Sequence, residues 1–257
     1  MTDEEPRLIV ERRDAVLVLT INRPRVRNAL DAKVSHAIAD ALDELDSDAD
    51  LRVGVLTGAG GNFSSGMDLK AFGAGERPVV DGRGLAGFAQ KPPRKPLIAA
   101  VEGYALAGGF EVVLSCDLIV AARDAVFGLP EVKRSLLAAG GGLIRLPRRI
   151  PYHLAMELGL TGDPIGAERA AELGIVNRLA VPGGALDAAL ELAAAIAANG
   201  PVAVAAAKEV LGYAAEMTER EAWERQLPVN EMIAGSEDAK EGALAFVEKR
   251  APVWKGR

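Results

Sequence analysis

The chain has few of the residues that form disulfides, bind metals or supply imidazoles, since its 257 residues include one cysteine and two histidines. The single Cys116 excludes a disulfide within the chain, and its apolar neighbours predict an inert buried thiol. A Ser–His–Asp triad or a zinc site would have to use His36 or His153, which the sequence indicates as ordinary surface or packing residues. Chemistry that depends on thiols or imidazoles is therefore not expected.

The chain also lacks an excess of positive charge and a long apolar segment. It carries 30 Lys and Arg against 36 Asp and Glu, a net charge of −6, which argues against a nucleic-acid-binding surface. No apolar run reaches the roughly 18 residues of a membrane span, and the acidic start MTDEEPRL does not resemble a signal peptide. With the single cysteine, these absences predict a cytoplasmic protein that binds neither nucleic acid nor a membrane.

What the sequence does have is a hydrophobic fraction of 49%, arranged in short strands and amphipathic helices. Strands are predicted at 8–10, 15–21, 53–57, 96–101, 118–122 and 126–127. A helix is predicted at 30–45 with Asp31 as its N-cap, and helices dominate after about residue 130. This order predicts an α/β fold with a helical C-terminal part. Residues 73–87, rich in Gly, Arg and Pro, are predicted to form a mobile loop.

The segment RVGVLTGAGGNFSSGMDL places glycines directly after a predicted strand. A dinucleotide-binding loop would need a third glycine where Phe63 stands, and a Phe there would prevent close helix–strand packing. A nucleophile elbow needs G-x-S-x-G, which neither Ser64 nor Ser65 completes. Both alternatives are disfavoured.

Two strand–turn–helix junctions, at 63–68 and 107–111, place small residues where a ligand could approach main-chain N–H groups. A helix N-terminus offers unpaired donors and the positive end of the helix dipole, which suits a developing oxyanion. Two such donors would form an oxyanion hole, each contributing about 3–4 kcal/mol to transition-state stabilisation. Either junction alone is better explained as a tight turn, so the hypothesis depends on what lies beside them.

Two glutamates lie beside these junctions in the sequence. Glu111 follows two glycines in the apolar segment GYALAGGFEVV, and Glu131 follows a predicted strand end in FGLPE. Burying an unpaired carboxylate costs several kcal/mol, so the apolar neighbours of Glu111 argue for a task. Two carboxylates in one pocket could serve as general acid and base. The alternative is that both side chains are solvated.

Taken in order, these motifs resemble the crotonase (enoyl-CoA hydratase/isomerase) superfamily over nearly the whole chain. The matching segments are LTINRPRVRNAL, GNFSSGMDLKAF, KPLIAAVEGYALAGGFEVVLSCDLIVA, FGLPEVK, GGLIRLPRRI, LTGDPIGAERAAELGIVNRL and EDAKEGALAFVEKRAPVWKG. The tail EGALAFVEKRAPVWKGR and the loop GLAGF are similar to those of carnitinyl-CoA dehydratases. The resemblance implies a spiral of ββα units over residues 1–195 and a helical region over 196–257 that makes homotrimers, commonly paired into hexamers.

By position, the resemblance implies that the N–H groups of Ser65 and Gly108 bind the thioester oxygen of an acyl-CoA substrate. It implies that Glu111 and Glu131 orient a water that adds to C3, while Glu131 exchanges the proton at C2. No metal or redox cofactor is implied, since coenzyme A is part of the substrate. Further substrate-binding positions are implied for Gly66, Met67, Asp68, Arg25, Arg27, Phe246 and Lys249, the last two toward a neighbouring subunit.

Three places depart from the family pattern. Glu102 replaces the Asn of a common N-G-Y motif, which predicts a third carboxylate near the site. Ala107 replaces the first residue of the usual glycine triplet. Ala138 and Ala139 stand where relatives often have proline and glycine near the catalytic water, so this stretch puts the water site in question.

The function that the resemblance implies is the reversible syn hydration of a 2-enoyl-CoA. A carnitinyl-CoA dehydratase would need aromatic or acidic groups facing a quaternary ammonium, and Glu102 and residues 73–87 are the candidates for them. A double-bond isomerase usually manages with one carboxylate, so Glu111 and Glu131 together favour hydration. An acyl-CoA-binding or RNA-binding paralogue without catalysis is the remaining alternative, and the two glutamates argue against it.

Overall fold

The protein is described here by a computed structural model that covers residues 6–257, so the N-terminal prediction, which depends on residues 1–5, lies outside the described residues. The strands are β1 (Leu8–Arg13), β2 (Val16–Ile21), β3 (Val53–Gly58), β4 (Val79–Val80), β5 (Gly84–Leu85), β6 (Leu97–Val101), β7 (Tyr104–Leu106), β8 (Leu118–Ala122), β9 (Val126–Gly128), β10 (Ile165–Gly166) and β11 (Arg178–Ala180). The helices are α1 (Ala32–Ser47), α2 (Leu69–Gly73), α3 (Gly108–Ser115), α4 (Gly142–Arg149), α5 (Tyr152–Thr161), α6 (Ala167–Glu172), α7 (Ala185–Ala197), α8 (Pro201–Ala214), α9 (Glu219–Gly235) and α10 (Glu237–Glu248). Two 3₁₀ turns span Pro24–Val26 and Pro130–Arg134.

The main sheet has six strands in the order β1-β2-β3-β6-β8-β11. β1 and β2 form an antiparallel hairpin, and each later neighbour pairs in parallel. β1 runs three residues further than predicted, because the turn takes only two residues, Asp14 and Ala15, with Asp14 at φ +52°. A second sheet, in the order β10-β9-β7, consists of β10 and of the short strands β7 and β9, which follow β6 and β8. The chain thus repeats long strand, short strand and helix, which confirms the predicted crotonase-type α/β fold.

The core lies on both faces of the main sheet, because its parallel strands are apolar on both sides. Alternate residues of β2, β3, β6 and β8 pack against the apolar stripe of α1 on one face and against small residues of α7, such as Ala189 and Ala193, on the other. Asp31 caps α1 as predicted, since its Oδ1 accepts the Val34 N–H at 2.9 Å. These contacts fix the strand ends from which the site is built.

The C-terminal helices follow α7, which packs on the sheet as far as Ile196 and Ala197. The predicted boundary at residue 195 therefore falls inside the last turn of α7. The chain end returns to this junction, where Trp254 Nε1 donates to the Ala198 carbonyl at 2.8 Å. Within residues 6–257 no single helix is long and apolar enough to cross a membrane. α7 and α8 reach that length and composition only as a pair bent by 108°.

Residues 73–87 are more ordered than the predicted mobile loop. β4 and β5 pair in register Val79↔Leu85, and Leu85 and Ala86 are buried. Arg83 donates to both carboxylate oxygens of Asp43 on α1, at 2.9 and 2.6 Å. Gly87, with φ +74°, lies so close to α1 that an added Cβ would be 2.8 Å from Ala39 Cβ. The prediction is wrong for residues 79–87, because contacts with α1 hold a segment whose composition indicates a loop.

Glu102 directly follows β6, but its carboxylate faces α7. Its Oε1 accepts the Ala185 N–H at 2.8 Å and its Oε2 accepts the Gly183 N–H at 3.0 Å. The carboxylate thus satisfies free N–H groups at the N-terminus of α7, where the helix dipole favours a negative charge. The prediction of a third carboxylate near the site is wrong, because this carboxylate binds the N-terminus of α7, the helix that packs on the main sheet.

We expect Glu102→Ala to lower the free energy of unfolding by about 1–2 kcal/mol, because it leaves two N–H groups at the start of α7 without their acceptor. Glu191→Ala, at an exposed position of the same helix, is the matched control and should change the free energy by less than about 0.5 kcal/mol. Urea denaturation measures both. Equal effects of the two substitutions would contradict the capping role of Glu102.

Candidate active site

The two predicted junctions, one after β3 and the other after β7, lie side by side. Backbone hydrogen bonds join them, because Ser64 N–H donates to the Tyr104 carbonyl at 2.9 Å and Leu106 N–H donates to the Ser64 carbonyl at 3.0 Å. Gly109, two residues before Glu111, packs so closely on the first junction that an added Cβ would be 2.9 Å from Ser64 Cβ. The turns after the two strands are therefore one structural unit.

The candidate oxyanion donors are the N–H groups of Met67 and Gly108. An added Cβ on Gly66 would be 2.9 Å from the Gly108 nitrogen, and one on Gly108 would be 3.6 Å from the Met67 nitrogen. Within residues 6–257 neither N–H group has an acceptor in the protein. Gly108 is also the first residue of α3, so its N–H lies at the positive end of the helix dipole. These adjacent donors can bind one anionic oxygen.

Ser65, predicted to be one of the donors, has its N–H occupied. It donates to the Arg27 carbonyl at 2.9 Å, which fixes the turn and leaves no donor for a ligand. The structure contradicts this prediction, and the N–H of Met67 is the candidate in its place. The signal in the sequence was Gly66, whose φ of +94° turns the chain so that the next N–H, and not the preceding one, lies beside Gly108.

Ala107 takes a conformation that glycine adopts more readily, with φ +50° and ψ −129°. Strain of this kind costs on the order of 1–3 kcal/mol in a residue with a Cβ. The surrounding bonds maintain it, since Ala107 N–H donates to the Gly128 carbonyl at 2.9 Å. The departure from glycine is thus tolerated, and the turn still delivers the Gly108 N–H to the site.

Glu111 is buried, with 4% of its surface exposed. Its Oε1 accepts the Gly142 N–H at 2.9 Å. An added Cβ on Gly140 would be 2.8 Å from its Oε2. Burial raises the pKa of Glu111, and the N–H groups of Gly142, Gly140 and Gly141 oppose that rise. We call residues 140–142 the glycine cradle, because the three glycines enclose the carboxylate without a side chain between them.

The cradle also shows what the departure at 138–139 does. Ala138 is buried and Ala139 is exposed, while the contacts with Glu111 come from the glycines that follow. The replaced proline and glycine are therefore not required to hold this carboxylate.

Glu131 lies in the 3₁₀ turn Pro130–Arg134 that follows β9. Its Oε2 is buried and, within residues 6–257, has no hydrogen-bond partner. Burial and, less strongly, the charge of Glu111 raise the pKa of Glu131 from 4.5 to about 7. The two carboxylates therefore differ: Glu111 has N–H groups that favour its ionised form, and Glu131 retains a proton to near neutral pH.

Asp68 has a structural role that the sequence did not indicate. Its Oδ1 accepts the N–H groups of Lys70 and Ala71 and so caps α2. Its Oδ2 pairs with Arg23 at 2.8 Å. Its part in binding a substrate stays a prediction.

The basic residues predicted to bind coenzyme A lie on two surfaces. Arg25 and Arg27 are exposed at the turn that precedes α1, and the Arg27 guanidinium lies 5.8 Å from the ring centroid of Tyr104. Phe246, 85% exposed, and Lys249 lie on α10 and at its end. The chain end that follows α10 packs at the C-terminal end of α7, where Trp254 binds the Ala198 carbonyl. The part of the four predicted residues in binding coenzyme A stays a prediction.

The thiol and the imidazoles lie away from this chemistry, as the sequence indicates. Cys116 is buried, its Sγ contacts the Val112 carbonyl at 3.5 Å, and burial raises its pKa. His36 and His153 are both exposed. The reactive groups of the site are therefore two carboxylates and backbone N–H groups.

Two N–H donors beside two differently tuned carboxylates define a site for acid–base chemistry on a carbonyl compound with an oxyanion intermediate. The chain belongs to the enoyl-CoA hydratase/isomerase family, whose sequence model matches residues 11–257. The predictions of family and fold are confirmed.

Three relatives place the chain within this family. The crystal structure of enoyl-CoA hydratase EchA1 from Mycobacterium marinum is 60% identical, with a TM-score of 0.96 over 98% of this chain and 100% of that one. Enoyl-CoA hydratase EchA19 from Mycobacterium tuberculosis is 45% identical over 98% of this chain and 97% of its own length. The carnitinyl-CoA hydratase from Mycobacterium avium is 42% identical, with a TM-score of 0.79 over 99% of this chain and 100% of that one.

We expect Gly66→Ala to reduce turnover of an enoyl-CoA by about 10²–10³-fold, because the new Cβ would lie 2.9 Å from the Gly108 nitrogen and obstruct one oxyanion donor. Gly61→Ala is the matched control, since Gly61 also has a positive φ of +76° but has nothing within 4 Å of an added Cβ. Steady-state kinetics and circular dichroism on both variants test this. Equal losses would mean that backbone strain, and not the blocked donor, is responsible.

The raised pKa of Glu131 makes stability depend on pH. Between about pH 4.5 and 7 the folded chain keeps a proton that the unfolded chain has lost, so the stability of the wild type falls as the pH rises. Glu131→Gln removes this contribution. We expect its advantage over the wild type to be about 1–2 kcal/mol greater at pH 8 than at pH 4, after allowance for partial solvent screening.

Urea unfolding of wild type and Glu131→Gln at both pH values gives this difference. Glu157→Gln, at an exposed position of α5, serves as the control for a glutamate outside the site. An advantage that is constant, or larger at pH 4, would contradict the raised pKa of Glu131.

Proposed function

We propose that the protein is an enoyl-CoA hydratase that adds water reversibly, with syn stereochemistry, to a 2-enoyl-CoA thioester. The observation that carries the proposal is the difference between the two carboxylates. Burial raises the pKa of both, but Glu111 has N–H partners that oppose the rise, whereas the pKa of Glu131 is raised to about 7. One base and one acid beside the same oxyanion site match what hydration requires.

In the proposed mechanism the thioester oxygen accepts hydrogen bonds from the Met67 and Gly108 N–H groups. These donors stabilise the enolate-like state that forms while water adds. Glu111 holds the water and accepts the proton that it loses, the water oxygen bonds to C3, and Glu131 gives its proton to C2. The proton then passes between the carboxylates, so that the net change is the addition of one water. No metal or redox cofactor takes part, and coenzyme A enters with the substrate.

The structure gives less support to a carnitinyl-CoA dehydratase. The acidic residue proposed for the quaternary ammonium, Glu102, is bound to the N-terminus of α7. The other candidate segment, residues 73–87, brings the apolar Leu85 to the site. The similarity is also greater to the hydratase from M. marinum than to the carnitinyl-CoA hydratase from M. avium, at 60% against 42% identity. An isomerase would leave one of the two carboxylates without a task.

The assembly that we propose is a homotrimer or a dimer of trimers. Large apolar side chains are exposed on the C-terminal helices, at Leu211, Trp223, Leu227, Met232, Phe246 and Val247. Such surfaces are typical of protein–protein contacts. Arg25 and Arg27 of one subunit and Lys249 of another would then supply positive charge for the coenzyme A phosphates, in an otherwise acidic chain. We place this enzyme in the cytoplasm, as the sequence composition indicates.

Hydration of crotonyl-CoA, followed by the loss of enoyl-thioester absorbance, tests the activity. We expect Glu111→Gln and Glu131→Gln each to reduce kcat by about 10²–10⁴-fold, the range for lost acid–base catalysis, while the affinity for crotonyl-CoA changes little. In the wild type kcat/KM should fall as the pH rises through about 7, because Glu131 must be protonated to supply C2. That decline should be absent from the residual activity of Glu131→Gln.

Glu168→Gln, at an exposed position of α6, is the control for a change of charge outside the site. Isotope exchange at C2 with no hydration would favour an isomerase. Hydration of crotonobetainyl-CoA alone would favour the carnitinyl alternative, and binding without turnover of any enoyl-CoA would overturn the proposed catalysis.

A further inference from the structure

Leu85 reaches the site from β5 and lies against both parts of the catalytic machinery. Its Cδ2 would be 3.6 Å from an added Cβ on Gly108 and would overlap one on Gly140. That same Gly140 position is 2.8 Å from Glu111 Oε2. One methyl group thus borders an oxyanion donor and the glycine cradle. Leu85 is 8% exposed, so it fills space that Gly140 leaves open.

The segment that carries Leu85 is attached on two sides. On the α1 side, Arg83 makes its two bonds to Asp43, and Gly87 packs against the helix backbone. On the α4 side, the guanidinium of Arg145 donates to the Ala89 carbonyl. Because both attachments are within four residues of Leu85, the backbone that carries this side chain is fixed on both sides.

A bound acyl chain has to pass this residue. The thioester oxygen is placed by the Met67 and Gly108 N–H groups, and C3 has to lie near the carboxylate of Glu111. Carbons beyond C3 therefore continue past the cradle, where Leu85 stands. The wall is apolar, and the acidic Glu102 that could have met a cation is bound to α7.

We infer that Leu85 is the specificity-determining residue of this site, and that it restricts the enzyme to short, uncharged 2-enoyl chains. The inference rests on the proposed hydratase function and adds the substrate class. A longer chain has to displace a leucine that is packed on Gly140 and fixed at both ends of its segment. A quaternary ammonium would meet a methyl group with no carboxylate to pair with it.

The decisive experiment compares kcat/KM for trans-2-enoyl-CoAs of four, eight and ten carbons in the wild type and in Leu85→Ala. The wild type should prefer the four-carbon substrate by at least about tenfold. Leu85→Ala should improve the ratio of the ten-carbon to the four-carbon substrate by at least about tenfold, because the truncated side chain opens the wall. Leu85→Val, a smaller truncation, should give an intermediate ratio and guards against a misfolded alanine variant.

Leu97→Ala is the matched control, since Leu97 is a buried leucine of β6 that packs on Gly54. It should leave the chain-length ratio unchanged even if both rates fall. A ratio that does not change in Leu85→Ala, with wild-type activity intact, would overturn the role of Leu85 and leave the hydratase function standing.

Binding of saturated acyl-CoAs separates the two proposals, because it needs no turnover. Calorimetry with butyryl-CoA and decanoyl-CoA should show the same change in relative affinity in Leu85→Ala. If the wild type hydrates no enoyl-CoA but this shift in affinity appears, the proposed function fails and the chain-length role of Leu85 holds. Equal binding of both ligands by wild type and variant would overturn the inference.

Discussion

The structure depends on the burial of one carboxylate. Glu111 sits in the first turn of an apolar helix, and an unpaired charge in that position would cost several kcal/mol. The glycine cradle makes it tolerable, because three consecutive residues without side chains bring N–H groups to the carboxylate. Any side chain at Gly140 or Gly142 would contact the carboxylate of Glu111. The cradle, and with it the start of α4, is therefore fixed by the charge that it surrounds.

The second carboxylate, Glu131, has a raised pKa because it has no such cradle within residues 6–257. Glu131 has a buried oxygen without a partner in the described residues, so its charged form is stabilised by nothing comparable and its proton is held to near pH 7. The negative charge on Glu111 reinforces this effect. Two residues of the same type thus acquire different proton affinities from their surroundings, and a group that titrates near neutrality is provided without an imidazole.

The sequence predicts those parts of the structure that depend on local pattern, and fails where tertiary contacts decide. The alternation of strands and helices, the Asp31 cap and the burial of Glu111 follow from periodicity and from apolar neighbours. The sequence indicates Ser65 as a donor in place of Met67. This prediction fails because the direction in which the chain leaves Gly66 decides which N–H is free, and that direction is not evident from the sequence. The sequence also predicts Glu102 near the site. This prediction fails because the helix packed at the end of β6, α7, binds the carboxylate and so determines the direction of the side chain. Residues 79–87 have the composition of a loop, and only their contacts with α1 give them a fixed path.

These failures have a common cause that also explains how a chain with one cysteine and two histidines can support catalysis. The candidate functional groups of this site are mostly backbone N–H groups, of Met67, Gly108 and the glycine cradle. Every residue type except proline has such a group, so the identity of a residue does not indicate that its N–H has a function. The sequence shows only the neighbouring glycines, whose missing side chains leave these N–H groups accessible. We therefore expect the glycines of the two turns and the cradle to determine the chemistry of the site, and the side chain of Leu85, which fills the space beside Gly140, to determine the choice of acyl chain.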